Sequence, residues 1–305
     1  MVKLSRVLRG TIFLAAVIAA VSFYSGQFAS AETIEITAES GSGDDIQAAL
    51  DKSKSDPKNL YVIKVPKGSY KLDRKLYVPG NTTLDLRGVT LKSTVTEYGI
   101  LVLGDITKGG YKGGTNIKIL GGTLDAGTQP GSADICRFAH VQNVTFDGTV
   151  FKYLPKKKVS AGMRNTHMIE FAAAKNVTIT NCKFYNNSKC HPNNEAVQLE
   201  SARNEKKLIA TTPDLGKRDG TQCSNITIKG CYFKGFNYGC GSNHLSKKDH
   251  YSNMKFIKNT FVDAKKYAIC LFGYKNVLIS GNKLKNCGAL YQDQGSKGVK
   301  VKKAK

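Results

Sequence analysis

A short pattern of apolar and polar positions recurs along this chain and predicts that it is built from stacked structural repeats. Each copy opens on Asn, continues with alternating apolar and polar residues, and closes on a large apolar residue eight positions later. Such alternation is typical of a β-strand with one buried face. A unit this short cannot bury its apolar face alone, so neighbouring copies must stack. Six copies share this offset and begin at Asn116, Asn143, Asn176, Asn225, Asn253 and Asn276.

The spacing of the copies predicts a coil of three strands, as in a parallel β-helix. The tightest pair, Asn253 and Asn276, lies 23 residues apart, and the wider spacings leave room for loops. Leucine-rich repeats have similar lengths, but their signature is absent. Because Asn tolerates the left-handed αL conformation, an Asn at the head of each copy predicts a ladder of stacked side-chain amides at a tight turn. A second strand set lies between the Asn-led strands, at 100–103, 135–139, 168–172, 196–200, 239–243 and 268–272.

Residues 1–31 have the features of a secretory signal peptide. A basic start is followed by an apolar run over 11–21 and by the small residues Ala29, Ser30 and Ala31. The apolar run is too short to span a bilayer. We therefore expect an exported protein, secreted or extracellular, with the periplasm as the alternative and with no membrane span.

The rest of the chain is expected to be one repeat domain over 32–288, followed by a Lys-rich tail over 289–305. Asp44 and Asp45 precede a short apolar run and predict an N-capped helix near the start of the domain. Residues 83–91 keep the eight-residue offset and predict an early coil. After Gly288 the pattern is lost, so the tail is expected to be solvated, with contact to a polyanion as the alternative.

The net charge narrows the class of binding partner. Lys and Arg outnumber Asp and Glu by 46 to 23, which gives a formal net charge of +23. A field of this sign favours polyanions, and export favours an acidic polysaccharide over nucleic acid. A monomer is expected.

The eight Cys residues permit disulfides in an exported protein. However, Cys182 and Cys231 share one repeat position, which leaves stacked, buried free thiols as the alternative.

Three N-terminal segments carry a resemblance to a known superfamily. The segments D-D-I-Q-A-A-L-D, V-I-K-V-P-K-G-S-Y-K-L and L-Y-V-P-G-N-T-T-L-D-L-R resemble the N-terminal cap and first coils of pectate-lyase-like right-handed parallel β-helix proteins. The later repeats resemble their later coils, so the resemblance covers 44–287. It implies an all-β fold, a single-domain right-handed parallel β-helix with a short N-terminal capping helix. It selects no function, because the superfamily includes lyases, glycosidases, epimerases, esterases and adhesins.

Candidate catalytic carboxyls lie on the second strand set. With its apolar residues aligned in register, Glu170 and Glu200 both face outward, one strand and two residues apart. Their Cα atoms are then about 8 Å apart, and inverting glycosidases hold their carboxyls about 6.5–9.5 Å apart. Glu170 and Glu200 are therefore candidate catalytic residues, with His244 as a third. The alternative is that these Glu side chains simply pair with Arg137 or with nearby Lys.

Lyase chemistry would need different groups. The carboxyl of a uronate must be neutralised, and a base must take the proton alpha to it. Arg137, Gln198 and Asn243 are candidate neutralising groups, and His244 or His250 is the candidate base. Calcium is a candidate cofactor for this lyase alternative only; otherwise neither a cofactor nor a metal site is predicted. The candidate calcium ligands are Glu170, Glu195, Glu200 and Asp219.

The sequence thus predicts a secreted carbohydrate-active enzyme that cleaves an acidic, uronic-acid-containing polysaccharide by lyase or inverting hydrolase chemistry. A non-catalytic glycan-binding or adhesin-like β-helix is the alternative. His140 and His167 are predicted to be turn or packing residues. The predicted substrate contacts are Arg137, Glu195, Gln198, Asp219, Asn243 and His250.

Overall fold

Strands that stack in three parallel sheets make up most of the described chain. The computed structural model describes residues 31–94, 99–128, 134–158, 167–187, 189, 195–200, 202, 216–242 and 251–302. The described residues from Thr33 onward belong to one compact unit. The predicted all-β fold, a parallel β-helix with a short N-terminal helix, is confirmed. No helix in this described part is long and apolar enough to cross a membrane.

Each sheet contains one strand from each successive coil. Sheet A contains β1 (Thr33–Thr37), β2 (Leu60–Lys64), β5 (Thr82–Asp85), β8 (Gly114–Leu120), β11 (Val141–Asp147), β14 (Lys175–Thr180), β17 (Ser224–Lys229), β20 (Ser252–Ile257), β23 (Lys275–Ser280) and β26 (Lys297–Lys302). Sheet B contains β3 (Gly68–Leu72), β6 (Val89–Ser93), β9 (Thr123–Asp125), β12 (Val150–Tyr153), β15 (Lys183–Asn186), β18 (Tyr232–Lys234), β21 (Thr260–Val262) and β24 (Lys283–Lys285). Sheet C contains β4 (Leu76–Val78), β7 (Leu101–Leu103), β10 (Cys136–Ala139), β13 (Ile169–Ala172), β16 (Glu195–Glu200), β19 (Tyr238–Gly241), β22 (Tyr267–Phe272) and β25 (Ala289–Gln294).

The predicted asparagine ladder forms where the chain enters sheet A. Each of these Asn residues has a positive φ near +55°, and each side-chain amide donates to the side-chain oxygen of the Asn one coil before it. Asn225, for example, donates to Asn176 at 3.0 Å and accepts from Asn253 at 2.9 Å. The early coil is confirmed as well, but its ladder residue is Asn81 and not Thr83, because the turn that follows is longer there.

The ladder gives a first testable prediction. Asn225→Ala should lower the free energy of unfolding by about 2–3 kcal/mol, because a Cβ-bearing residue without a side-chain partner strains the αL backbone and two amide hydrogen bonds are lost. Asn225→Gly should recover about 1–2 kcal/mol of this loss, since glycine adopts positive φ without strain. Urea denaturation of both variants checks this. Equal losses would mean that the amide bonds alone set the cost.

Stacked aromatic rings form the inner face of sheet B. Phe151, Phe184, Phe233 and Phe261 follow one another with ring centroids 4.7–4.9 Å apart and nearly parallel planes. The spacing equals the distance between neighbouring strands, so one aromatic position in the repeat becomes a continuous column. The helix α1 (Gly43–Lys52) covers the first coils, and the predicted N-capped helix is thus present. Its N-cap is Ser42, which accepts from the backbone N–H of Asp45, while Asp44 and Asp45 lie in the first turn.

The repeat domain extends further than predicted at its C-terminal end. At its start, β1 pairs with β2. The expected solvated tail is wrong for 289–302, because β25 and β26 add a further coil against β22 and β23. Val299 and Val301 stack on Val277 and Ile279, while the lysines between them face outward. That high lysine content hid the alternation.

The described cysteines are free thiols. Six of them are buried and Cys287 is half-buried, while Cys190 lies outside the described residues. Cys182 and Cys231 occupy equivalent positions on neighbouring coils, as the shared repeat position predicts. Burial raises the pKa of the Cys182 thiol well above its usual value. For these seven residues the structure favours the free-thiol alternative.

Candidate functional site on sheet C

The register of sheet C is the one that the apolar pattern predicts. Cys136, Ile169, Val197, Cys240 and Ile269 are aligned and buried inside the coil. Arg137, Glu170 and Gln198 are aligned in the neighbouring outward column. Glu200 is aligned with Ala172, so it lies one strand and two residues from Glu170. The juxtaposition of the two predicted carboxyls is thus confirmed, although their catalytic roles remain predictions.

The outward face of sheet C is enclosed around these acidic residues. Glu170, Gln198 and Glu200 are only 3%, 4% and 6% exposed. Neighbouring polar side chains cover one another here: Gln198 donates to the carboxylate of Glu200, and the Nη2 of Arg137 lies 3.0 Å from the Oε2 of Glu170. The site is therefore a nearly buried polar cluster, with Arg137 at its more open side.

Asp134, which the sequence analysis did not single out, completes this cluster. Its Oδ2 accepts from the Nε of Arg137 at 3.0 Å and also from the Nη2 of Arg137. Its Oδ1 accepts from the backbone N–H of His167 at 2.7 Å. The sequence does contain this acidic residue three positions before the outward-facing Arg137. Asp134 precedes the strand, however, so the strand pattern does not predict the direction of its side chain. One guanidinium is thus shared by two buried carboxyl groups, Asp134 and Glu170.

The pKa values of the two acids of this pair are shifted in opposite directions. Burial raises the pKa of Glu170 well above its usual value, and the negative charge of Asp134 and their mutual hydrogen bond raise it further. Burial also acts to raise the pKa of Asp134, but Arg137 and the hydrogen bond from Glu170 outweigh it and leave that pKa lowered. Of the two acids, Glu170 is therefore the one whose shift suits a catalytic acid.

The raised pKa of Glu170 predicts a pH-dependent stability. Above the ordinary Glu pKa of about 4.3 the unfolded chain releases this proton while the folded chain keeps it, so stability falls as pH rises towards the folded pKa. Glu170→Gln should therefore flatten the fall above about pH 4.3 by up to about 1.4 kcal/mol per pH unit. Urea denaturation of both proteins across this range measures the difference. Parallel curves would show that Glu170 ionises normally.

Glu195 and Asp219, two predicted substrate contacts, have other partners. The Oε2 of Glu195 lies 3.5 Å from the Nδ1 of buried His167, and burial raises the pKa of Glu195 although His167 opposes this. Asp219 accepts from the backbone N–H of Gly110 at 2.7 Å and lies 4.0 Å from His140. Asp219 therefore joins two connecting segments. His140 and His167 are both buried, in agreement with their predicted packing roles.

Three predicted site residues cannot be placed. Asn243, His244 and His250 lie outside the described residues. Within the described ranges, no group of three or more His, Cys, Asp or Glu side chains is arranged to hold a metal ion. Calcium remains a prediction that belongs to the lyase alternative.

Two cavities lie beside the cluster, towards the first coils of sheet C. One has a volume of about 130 Å³ and is lined in part by Lys75, Tyr77, Asp134 and Arg137. The other, of about 400 Å³, shares Tyr77 and includes Lys54. Tyr77 is 47% exposed and occupies the same outward column as Arg137. An exposed aromatic ring between cationic side chains is suited to an anionic sugar, and the sequence analysis missed it because β4 lies outside the Asn-led repeats.

Comparison with known proteins identifies the fold. A family model described as a right handed beta helix region matches residues 133–284. No protein with a curated function matches the chain in sequence. Two structures of PfbA, a surface adhesin of Streptococcus pneumoniae, are 18% and 21% identical, with a TM-score of 0.61. The aligned region covers 79% of this chain and 57% and 62% of those chains.

A third similar structure is a mutant tailspike protein of E. coli bacteriophage HK620 in complex with a pentasaccharide. It is 15% identical, with a TM-score of 0.52, and the match covers 79% of this chain and 46% of the tailspike. The chain thus spans less than two thirds of the length of these three structures. At these identities the likeness concerns the fold alone. Together with the family model and the three parallel sheets, it shows that the chain has the right-handed parallel β-helix fold.

Proposed function

We propose that this chain is an exported glycoside hydrolase that cleaves an acidic, uronic-acid-containing polysaccharide on the outward face of sheet C. The observation that carries the proposal is the buried Glu170 carboxyl, which lies against Arg137 beside the buried Asp134. Burial and the negative charge of Asp134 raise the pKa of Glu170, and a raised carboxyl pKa is what protonation of a glycosidic oxygen needs.

Glu200 is the proposed base for an inverting mechanism. It lies one strand and two residues from Glu170, a Cα separation of about 8 Å. That range leaves room for a water molecule between an acid and a base on opposite sides of the sugar. The hydrogen bond from Gln198 orients the Glu200 carboxylate. In this scheme Glu170 gives its proton to the leaving oxygen, while Glu200 takes a proton from the attacking water.

Charges around the cavities favour an anionic substrate. Lys75 lines the smaller cavity and Lys54 the larger one, and the exposed ring of Tyr77 lines both. A pyranose ring stacks well on an aromatic side chain, and a uronate carboxylate pairs with lysine. The net charge of +23 concentrates such a polymer near the protein.

The contacts of Arg137 make the lyase alternative weaker. A lyase must neutralise the uronate carboxyl, and Arg137 is the predicted neutralising group. Arg137 already contacts two protein carboxyls, Asp134 and Glu170. Its charge is thus largely compensated before any substrate arrives. A lyase would need another cation at this place.

A non-catalytic glycan-binding role is the second candidate. The observation that favours it is the low exposure of Glu170 and Glu200, 3% and 6%, because a substrate bond must reach both. The same fold occurs in a bacterial surface adhesin. Under this reading the polar cluster would only stabilise the sheet, and the cavities would hold a glycan chain without cleaving it.

One assay separates these functions. The mature protein is incubated with a panel of uronic-acid polymers, while ultraviolet absorbance reports unsaturated ends and a reducing-sugar assay reports hydrolysis. We expect reducing ends without a rise in absorbance. A rise in absorbance would identify a lyase. Saturable binding with neither signal would leave the glycan-binding role and contradict the proposed catalysis.

A further inference from the structure

A lysine-rich surface lies on a different side of the molecule, on the outward face of sheet B. Seven lysines project from this face, and six of them are exposed while Lys152 is half-buried. We call them the lysine face: Lys71, Lys92, Lys152, Lys183, Lys234, Lys283 and Lys285. They are carried by six of the eight strands of the sheet, so the face runs for about 35 Å along the coil axis.

The lysine face has almost no compensating charge. Asp125 is the one acidic residue in the aligned outward positions of sheet B, and its carboxylate accepts from the backbone N–H of Gly127 at 2.7 Å. None of the salt bridges found among the described residues involves a lysine of this face. Lysines that repel one another at strand spacing are a cost to the fold, which an external polyanion would remove.

Two tyrosines lie at the centre of the lysine face. Tyr185 is aligned between Lys152 and Lys234, and Tyr232 is aligned next to Lys183. Both tyrosines are half-buried, and their ring centroids are 5.8 Å apart. Aromatic rings set among regularly spaced cations are suited to a chain of anionic sugars, whose ring faces stack while their carboxylates pair with lysine.

We propose that the lysine face is a second, non-catalytic binding surface for a carboxylated glycan chain. The surface follows from the described residues of sheet B alone, whereas the choice of a glycan over nucleic acid rests on the two tyrosines and on the proposed function. Binding here would keep a long polymer attached to the protein while another part of it enters the site on sheet C.

Matched charge variants test the surface. The triple variant Lys152→Gln, Lys183→Gln, Lys234→Gln removes three charges from the lysine face. The control Lys118→Gln, Lys255→Gln, Lys300→Gln removes three exposed charges from the outward face of sheet A. Binding to polygalacturonate and to alginate is measured by affinity electrophoresis at several salt concentrations. Each chain also carries Glu170→Gln, so that cleavage does not interfere.

The lysine-face triple should weaken binding about tenfold or more and reduce its salt dependence, while the control should stay within about twofold. Equal losses in both triples would show that only net charge matters and would overturn the proposal, as would no loss in either. Because both triples carry the same Glu170→Gln background, a loss confined to the lysine-face triple does not depend on whether Glu170 is catalytic.

A tyrosine variant tests the identity of the polymer. Tyr185→Ala with Tyr232→Ala should weaken binding to the uronate polymers about tenfold and leave binding to polyglutamate, which has carboxylates but no sugar rings, unchanged. A thermal transition within a few degrees of the parent shows that the fold is kept. Equal losses for polyglutamate, or tighter binding to single-stranded nucleic acid than to either glycan, would contradict a carbohydrate surface.

Discussion

Replacing Glu170 with Gln is expected to lower kcat on an acidic polysaccharide by about 100- to 10,000-fold and to leave the fold intact. The amide has the shape of the protonated carboxyl and can donate to Asp134 in the same way, but it has no proton to give to a leaving oxygen. The measurement is kcat on the polymer that the assay panel identifies. The thermal transition is recorded at the same pH, and an unchanged kcat would exclude Glu170 as the acid.

Asp134→Asn provides the companion experiment, because it changes how the proton of Glu170 is held. Without the negative charge of Asp134 the pKa of Glu170 falls, and Arg137 pairs with an ionised Glu170. The alkaline limb of the pH–rate profile should therefore move to lower pH. A structural role for Asp134 would reduce the folded fraction without moving that limb.

Replacing Arg137 with Gln is expected to destabilise the protein by about 3–5 kcal/mol near neutral pH. The Asp134 side chain is only 2% exposed and would be left as a buried carboxylate without a cation. Burial, no longer opposed by Arg137, would raise the pKa of Asp134 above its value in the parent. The variant should then be most stable relative to the parent below the ordinary Asp pKa of about 3.9, and lose stability as pH rises above it.

Lys54→Gln is the matched control for that experiment. Lys54 also forms a salt bridge with an Asp, Asp51, but both side chains are exposed, 56% and 49%. A pair of that kind contributes about 0–1 kcal/mol, so the control should unfold almost like the parent. Urea denaturation at several pH values measures both variants. Similar losses at neutral pH would mean that burial is not the cause of the effect at Arg137.

The fold could be predicted from the sequence because two positions of each repeat, the Asn and the large apolar residue, each indicate it independently. The Asn at the head of each copy gives both the turn geometry and the hydrogen-bonded ladder, and the Phe eight positions later gives the inner stack. The register of sheet C followed as well, since in a strand the apolar residues decide which side chains face inward. That register placed Glu170 and Glu200 on neighbouring strands.

The sequence could not predict the salt-bridge partners of Arg137 or the burial of Glu170. The partners of Arg137 depend on the direction of Asp134, a residue in a connecting segment whose backbone no pattern describes. The enclosure of Glu170 depends on how side chains from several coils cover one another. The last coil was missed because the lysines around Val299 and Val301 look like a solvated tail when no neighbouring strand is considered.

The corners of the coil differ in a way that bears on how such proteins can evolve. From β8 onward, two residues connect each strand of sheet A to the next strand of sheet B, whereas residues 201–223 connect β16 in sheet C to β17 in sheet A. Val177 nevertheless stays aligned with Ile226 across that insertion. Insertions and deletions at this corner therefore leave the core unchanged. The sequence at this corner can therefore change to bind new ligands, while the stacked coils continue to stabilise the fold.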